Sequence, residues 1–280
     1  MLYGDSRYRG VVMSGNAAFT GDIPQHYDEG LGPMLFVDYA DDIARRTAAY
    51  APKRVLEIAA GTGIVTRRLY DLLPKAEILA TDLNEPMLKW AAKKFSMFDT
   101  RVAFRPADAM ALSFADNMCD AIVCQFGVMF FPDKDKSYRE TYRVLAPGGR
   151  YIFNVWDSHK HNPFGRMAHE LAGRFFPVDP PQFYQVPFGY HQIDPIKESL
   201  LAAGFDDLKI AVVKKQHKLT DAAARARGMI LGNPIVDQIK ARGGVDPDAV
   251  VEAAKIALER EFATKPIPLQ AIVFEARKPA

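Results

Sequence analysis

The stretch Val55-Leu-Glu-Ile-Ala-Ala-Gly-Thr-Gly63 is an apolar run of strand length that turns through glycines into the amphipathic segment beginning at Ile64. A buried strand, a glycine turn and a helix in that order place free backbone N–H groups at the carboxyl end of a sheet. Open α/β sheets bind their ligands there. Working outward, strand-length apolar runs alternate with helix-length amphipathic ones as far as Val155, which predicts a mostly parallel sheet with helices on both faces. Strands are expected near residues 54–58, 77–80, 101–105, 121–124 and 150–155, with helices near 64–73, 86–98 and 134–145 between them. Leu145-Ala-Pro-Gly-Gly149 reads as a helix stop leading directly into a strand, because proline cannot continue the helix and glycine accepts left-handed angles.

Beyond Trp156 the pattern changes. A stretch rich in proline and aromatic residues runs to Tyr190, followed by a helix near 195–203 and a strand near 208–213. An alanine-rich segment, 220–263, reads as helices, and a final strand is expected over 270–276. The segments 157–190 and 220–263 are therefore read as helical lid insertions over one end of a sheet whose core spans 53–155. Residues 1–50 are read as an N-terminal cover, with a loop over 19–27 and an amphipathic helix over 34–44. The whole chain, 1–280, is expected to form a single domain.

Of 280 residues, 49% are hydrophobic and 25% charged, enough apolar material for a substantial core. Lys and Arg number 36 against 34 Asp and Glu, so a net charge of +2 provides no field that would recruit nucleic acid. The basic run Lys214, Lys215, His217 and Lys218 reads as a solvated face. Cys119 and Cys124, five positions apart on one expected strand, point to opposite faces and cannot pair locally, which suits a reducing compartment. With no apolar leader and no run long enough to span a bilayer, a cytoplasmic location is expected.

Both dinucleotides and S-adenosylmethionine are bound by a strand, a glycine turn and an acid on the second strand. The dinucleotide fingerprint fails here, since Ala59 stands at its first glycine and Ile64 occupies the place three after Gly61. Glu57, a carboxylate at the strand end, would repel a pyrophosphate but suits an ammonium and a sulfonium. Asp82, closing Ala80-Thr-Asp82, is placed to accept hydrogen bonds from ribose hydroxyls. Asp108 could accept from an adenine amino group while the Ala109 N–H reaches a ring nitrogen. The ordinary reading of Asp82, as the cap of the following helix, stands beside the functional one.

Together, Glu57-x-x-x-Gly61-x-Gly63, Asp82, Asp108-Ala109, the run Asp120 to Gly127 and Leu145 to Gly149 resemble the ordered motifs of class I S-adenosylmethionine-dependent methyltransferases. The resemblance is closest to the small-molecule branch similar to ubiquinone and menaquinone biosynthesis methyltransferases. It covers about residues 53–155, and Ile23-Pro-x-x-Tyr27 and Leu31-Gly-Pro-x-Leu-Phe36 extend it loosely toward the N-terminus. It implies a Rossmann-like seven-stranded sheet with a reversed last strand. It also implies that Tyr27 lies over the methionine portion, Gly61 and Gly63 beneath it, Leu83 and Met87 against the adenine, and Gln125 and Phe126 beside the sulfonium. Ala59 departs from the family loop, where a glycine is usual.

Such an enzyme transfers a methyl group to a small acceptor and leaves S-adenosylhomocysteine; it needs alignment and desolvation more than a covalent nucleophile. A general base is required only for an acceptor protonated at working pH. His159 and His161, after the fifth strand, are candidates for it, and His26 and His191 lie further off. No metal is expected, because no supporting ligands stand at suitable intervals from these histidines. Aromatic residues gathered after the fourth and fifth strands, among them Phe126, Phe130, Trp156, Phe183 and Phe188, suit an apolar or aromatic acceptor or a lid core. Nucleic-acid base methylation is disfavoured, since Gln125-Phe-Gly127 stands where a base-holding motif would be, and Asp179-Pro-Pro-Gln182 reads as a lid turn. An NAD-dependent oxidoreductase and a non-catalytic S-adenosylmethionine-binding protein are the rival readings, and either a monomer or a homodimer is compatible with the sequence.

Overall fold

The computed structural model describes residues 15–280. The first fourteen residues of the expected N-terminal cover lie outside the described residues. Seven strands form one sheet: β1 (Arg54–Glu57), β2 (Glu77–Asp82), β3 (Val102–Pro106), β4 (Cys119–Gln125), β5 (Leu145–Trp156), β6 (Asp206–His217) and β7 (Ile267–Arg277). Their order is β3-β2-β1-β4-β5-β7-β6, with β1 to β5 parallel and β7 antiparallel to both β5 and β6. The Rossmann-like sheet with its reversed last strand is as expected, and strand order reverses between β1 and β4, where such sheets open a ligand crevice.

The central strands read as near-continuous apolar runs because both of their faces are covered. Val55, Val123 and Ile152 pack with Leu69 on one side, while Leu56, Ile122 and Phe153 join Tyr138 and Phe274 on the other. Edge strand β6 instead alternates, with Lys209, Lys214 and Gln216 exposed, so the basic run around Lys214 is a solvated edge that discourages further pairing. β6 and β7 are both longer than their apolar cores suggested, because their mutual pairing extends the ladder to His217 opposite Ile267. Cys119 and Cys124 are buried and unpaired, and burial pushes both thiols up to about 12.

Helices α3 (Ile64–Leu72), α4 (Glu85–Ala92) and α5 (Lys134–Val144) connect the parallel strands. The expected helix over 86–98 stops early. Met87, Leu88 and Ala91 are buried, and beyond Ala92 Phe95 still packs against Tyr70 and Phe104, but Met97 and Phe98 stand in solvent. The expected loop over 19–27 contains a short helix, α1 (Ile23–His26), with Pro24 in its first turn. A single helix over 34–44 is also corrected: a π-helical segment, Tyr27–Phe36, precedes α2 (Val37–Ala48). Pro33 has no N–H for an α-helical bond, and the widened turn lets Val37 N donate to Gly32 O instead.

The two insertions supply α6 (Pro163–Phe175) and α7 (Gln185–Gly189), then α9 (Ala222–Leu231), α10 (Ile235–Arg242) and α11 (Pro247–Phe262), with α8 (Ile193–Ala202) leading into β6. α9 meets the π-helical segment backbone to backbone. A Cβ on Gly228 would come within 2.8 Å of Gly30 Cα, and one on Gly232 within 2.9 Å of His26 C. Arg225, buried in this seam, donates to the carbonyls of Glu29 and Gly30 at 3.0 and 2.7 Å. α9 thus fastens the π-helical segment Tyr27–Phe36 to the rest of the fold. Among the described residues no helix is long and apolar enough to cross a membrane, and no cluster of three or more His, Cys, Asp or Glu could hold a metal ion.

Candidate active site

The turn after β1 is built on three left-handed residues: Ala59 at φ +53°, Gly61 at +55° and Gly63 at +78°. Ala59 therefore adopts the conformation a glycine would take there, at a steric cost of about 1–2 kcal/mol. The turn is held by Ala60 N donating to Thr81 O at 2.8 Å. Space for the Ala59 methyl comes from Gly127, where a Cβ would sit 2.5 Å from it. A Cβ on Gly61 would meet no atom within 4 Å, so its missing side chain leaves open room above the loop. Gly63 has a different role from the one the resemblance implies. It borders none of the cavities described below, and it caps α3 where a Cβ would press to 2.8 Å from Ala91 Cβ.

Over this loop lies a cavity of about 900 Å³, its open mouth included. Four of the five parallel strands contribute their carboxyl ends: Ala59 and Gly61 after β1, Asp82 to Asn84 and Met87 at and after β2, Ala107 to Met110 after β3, and Gln125 to Gly127 at and after β4. Tyr27 and Phe19 close it from the N-terminal side. Asp82 is buried, with Gly61 N donating to one carboxylate oxygen and Asn84 N to the other, both at 2.8 Å. Burial raises its pKa and these hydrogen bonds oppose the rise. The oxygen bonded by Gly61 N keeps acceptor capacity for a further donor, while the one bonded by Asn84 N accepts from Asn84 Nδ2 as well, at 3.2 Å. Asp108 accepts from Met110 N at 2.8 Å, turning the chain so that Ala109 lines the cavity.

Glu57 does not border the large cavity. It lines a smaller one of about 310 Å³ beneath the loop, shared with Tyr27, Gly61, Thr62 and Gln125. Thr66 donates to its carboxylate at 2.6 Å. Burial nevertheless pushes the Glu57 carboxyl up to about 8, with Thr66 opposing, Asp82 adding repulsion and Lys94 partly offsetting it. Burial thus favours the neutral form of the Glu57 carboxyl over the expected anion, and a cation nearby would favour the anion again. Thr62 Oγ is buried beside it without a hydrogen-bond partner, a polar atom that a charged ligand terminus would satisfy.

A third cavity, of about 470 Å³, adjoins the first and shares Tyr27, Phe19, Phe126 and Phe130 with it. Its remaining walls are mostly aromatic, from Trp156, Phe164, Phe183 and Phe188. Phe126 stands in the partition at φ +52°, its ring stacked 3.9 Å from Trp156. A bulky residue in that conformation is held by its surroundings: Asn154 Oδ1 accepts from Phe126 N at 2.9 Å. Tyr27 stacks on Phe36 at 4.8 Å, and burial, then Asp82 and Asp28, push its phenol above the ordinary range. At the far wall Tyr184 donates to Met229 O at 2.7 Å and accepts from Asn233.

The two candidate histidines border none of these cavities. His159 Nε2 donates to Tyr184 O at 3.0 Å, its ring lies against Phe188, and desolvation holds its pKa below the usual value. His161 sits in the turn before α6, its backbone N–H bonded to Ser158 O. The Asp179-Pro-Pro-Gln182 stretch lies between α6 and α7. Thr62, Asn84, Phe19 and Asn233 were not anticipated; the only sequence signal for Asn84 was its place two after Asp82.

Residues 55–149 match the protein family described as a methyltransferase domain. The chain is 39% identical over 127 residues to a demethylmenaquinone methyltransferase of Thermus thermophilus, covering 45% of this chain and 58% of that one. It is 28% identical over 168 residues to a ubiquinone/menaquinone biosynthesis C-methyltransferase of Pasteurella multocida, covering 55% and 63%. The matched stretch thus spans less than two thirds of these relatives. Among solved structures, a Haemonchus contortus phosphoethanolamine N-methyltransferase in complex with S-adenosyl-L-methionine superposes with a TM-score of 0.62 at 20% identity, over 96% of this chain and 61% of the other. That likeness is one of fold. Residues 55–149 match a methyltransferase domain, and in the order of its motifs and the strand order of its sheet the chain resembles the class I methyltransferases, the quinone C-methyltransferases among them.

Proposed function

We propose that the protein transfers a methyl group from S-adenosylmethionine to a small apolar or aromatic acceptor. The observation that carries this reading is the pair of adjoining cavities. One is lined by the carboxyl ends of β1 to β4, the other by aromatic lid residues, and they share a partition of Tyr27, Phe19, Phe126 and Phe130.

The residues present fit the donor. Gly61 leaves room over the loop, Asp82 keeps an acceptor site for a ribose hydroxyl on the oxygen bonded by Gly61 N, and unpartnered Thr62 with Glu57 suits a charged amino-acid end. When bound, S-adenosylmethionine supplies a methyl group already activated on a sulfonium sulfur. Leu83, Met87, Asp108 and Ala109 would hold the adenine, and Gln125 and Phe126 would flank the reacting end. Gln125 is fixed by donating to Phe36 O at 3.2 Å. The aromatic walls exclude water and align the acceptor, which is the main work left to the protein.

Among the described residues lining the aromatic cavity, the titratable ones are Tyr27 and Tyr184, both phenols raised by burial. Neither takes a proton at neutral pH, so the acceptor brings its own available electron pair, and His159 and His161 are not given the role of base. The dinucleotide alternative is not favoured, because Ala59 stands at the first glycine of that fingerprint, Ile64 at its last, and residues 55–149 match a methyltransferase domain. Incubation with methyl-labelled S-adenosylmethionine and a panel of flat aromatic acceptors whose reacting atom carries an available electron pair at the assay pH tests the reading. Label is expected in an acceptor with wild type and not with Asp82→Ala. Tight S-adenosylhomocysteine binding without transfer to any acceptor would favour the non-catalytic reading.

A further inference from the structure

Residues 16–19 cross the seam between the two large cavities and are fastened at both ends by side-chain amides. On the donor side, Asn84 Oδ1 accepts from Phe19 N and Asn84 Nδ2 donates to Ala17 O, both at 3.1 Å. The same Asn84, itself buried, bonds Asp82 through its backbone N at 2.8 Å and through Nδ2 at 3.2 Å. On the acceptor side, Gln238 of α10 donates to Asn16 Oδ1 at 2.7 Å. Its Oε1 accepts from Gln182 N and Phe183 N at 2.9 and 3.1 Å. Between the two anchors, the Phe19 ring packs edge-on against Tyr27, Phe130 and Phe183, with centroids 5.8, 6.0 and 6.5 Å away.

We propose that this strap couples the two sites: occupation of the donor cavity fastens residues 16–19 through Asn84, and Asn16 and Gln238 pass that order to the Phe183 wall of the acceptor cavity. The proposal rests on the reading of the larger cavity as the S-adenosylmethionine site. Asn84, Asn16 and Gln238 are positioning residues, since none of them needs to touch the reacting atoms. A ligand that restrains Asp82 restrains Asn84 and the strap; the ordering already done for the first ligand then lowers the cost of binding the second. The acceptor is accordingly bound more tightly after the donor than before it.

The experiment is hydrogen exchange, read by mass spectrometry, with and without saturating S-adenosylhomocysteine, whose binding is first verified by calorimetry. Wild type is expected to slow at the Phe19 amide and also at the Gln182 and Phe183 amides. Neither Gln182 nor Phe183 borders the donor cavity, so slowing there must be transmitted. A factor of about five or more at 182–183 corresponds to an ordinary coupling between sites. Asn16→Ala leaves both Gln238 bonds to the lid in place; it should keep the slowing at Phe19 and lose it at 182–183. Gln238→Ala, a second variant from the other side, should raise basal exchange at 182–183 and make it insensitive to the ligand. Binding without slowing at 182–183 in wild type, or equal slowing in Asn16→Ala, would overturn the coupling while leaving the donor site intact. No binding to folded wild type would overturn the donor site and the coupling with it.

Discussion

Glu57→Gln isolates the electrostatic feature at the centre of the loop. The carboxyl is 1% exposed, its pKa is near 8 against an ordinary 4.5, and burial is the main cause. Between those values the folded protein holds a proton that the unfolded chain has released, so stability falls as pH rises across the window. The slope is about 1.4 kcal/mol per pH unit where the two states differ fully. Allowing for half-titration of the folded state at its upper end, the loss from about pH 6.5 to pH 8 comes to roughly 1.5 kcal/mol. That interval separates Glu57 from its competitors. His159 and His217 are held below their usual pKa and add stability with rising pH only up to about 6.5, while Asp120 and Glu140, held low, titrate in acid. Glutamine keeps an acceptor for Thr66 but cannot ionise. Urea unfolding at the two pH values should show wild type losing stability relative to Glu57→Gln by the stated amount. Parallel pH dependences would mean that Glu57 already carries its charge in the folded protein, and the account of the small cavity would fail.

The same neutral carboxyl implies that S-adenosylmethionine binding at pH 7 releases up to one proton, as the arriving cation draws the Glu57 pKa down. Calorimetry in phosphate and in Tris should give enthalpies that differ with the buffers' ionisation enthalpies, and identical enthalpies would contradict it. Gly228→Ala forces a methyl to within 2.8 Å of the Gly30 backbone, so it should cost about 1–3 kcal/mol by thermal or urea unfolding. Unchanged stability would show that α9 and the π-helical segment can part freely. His159→Ala should leave kcat with any identified acceptor within about threefold, far from the 10²–10⁴ expected for loss of a general base. A loss on that larger scale would restore His159 as the base.

The cofactor end of this site was legible because its signals are local. The strand-to-glycine turn at 55–63, the acid closing β2 and the one after β3 each sit a fixed distance from a strand end, and parallel pairing brings strand ends together. Ala59 shows how far local reading reaches: its departure from glycine was visible, but the compensating Gly127 follows a different strand, β4, and emerges only in three dimensions. The π-helical segment follows from Pro33 and from glycine packing against α9, a contact nearly two hundred residues distant. Glu57 was read for its charge, yet its ionisation is set by burial under the loop, which no short motif encodes. The histidines were chosen for being near β5; the His159 ring instead packs on Phe188 and bonds the backbone carbonyl of Tyr184. Gln238 and Asn16 left no signal, since long-range amide pairs have no periodicity.

The central claim is that the cavity over the β1 loop binds S-adenosylmethionine through Asp82. Calorimetric titration with S-adenosylhomocysteine and, separately, with NADH tests it most directly, repeated with the thioether on Asp82→Ala. Charge-assisted hydrogen bonds worth about 1.5–3 kcal/mol each predict a loss of ten- to a hundred-fold or more in that variant, with no heat from NADH. Failure of the folded wild type to bind the thioether, or unchanged binding in Asp82→Ala, would contradict the site, and saturable heat from NADH would place the protein among the nicotinamide enzymes.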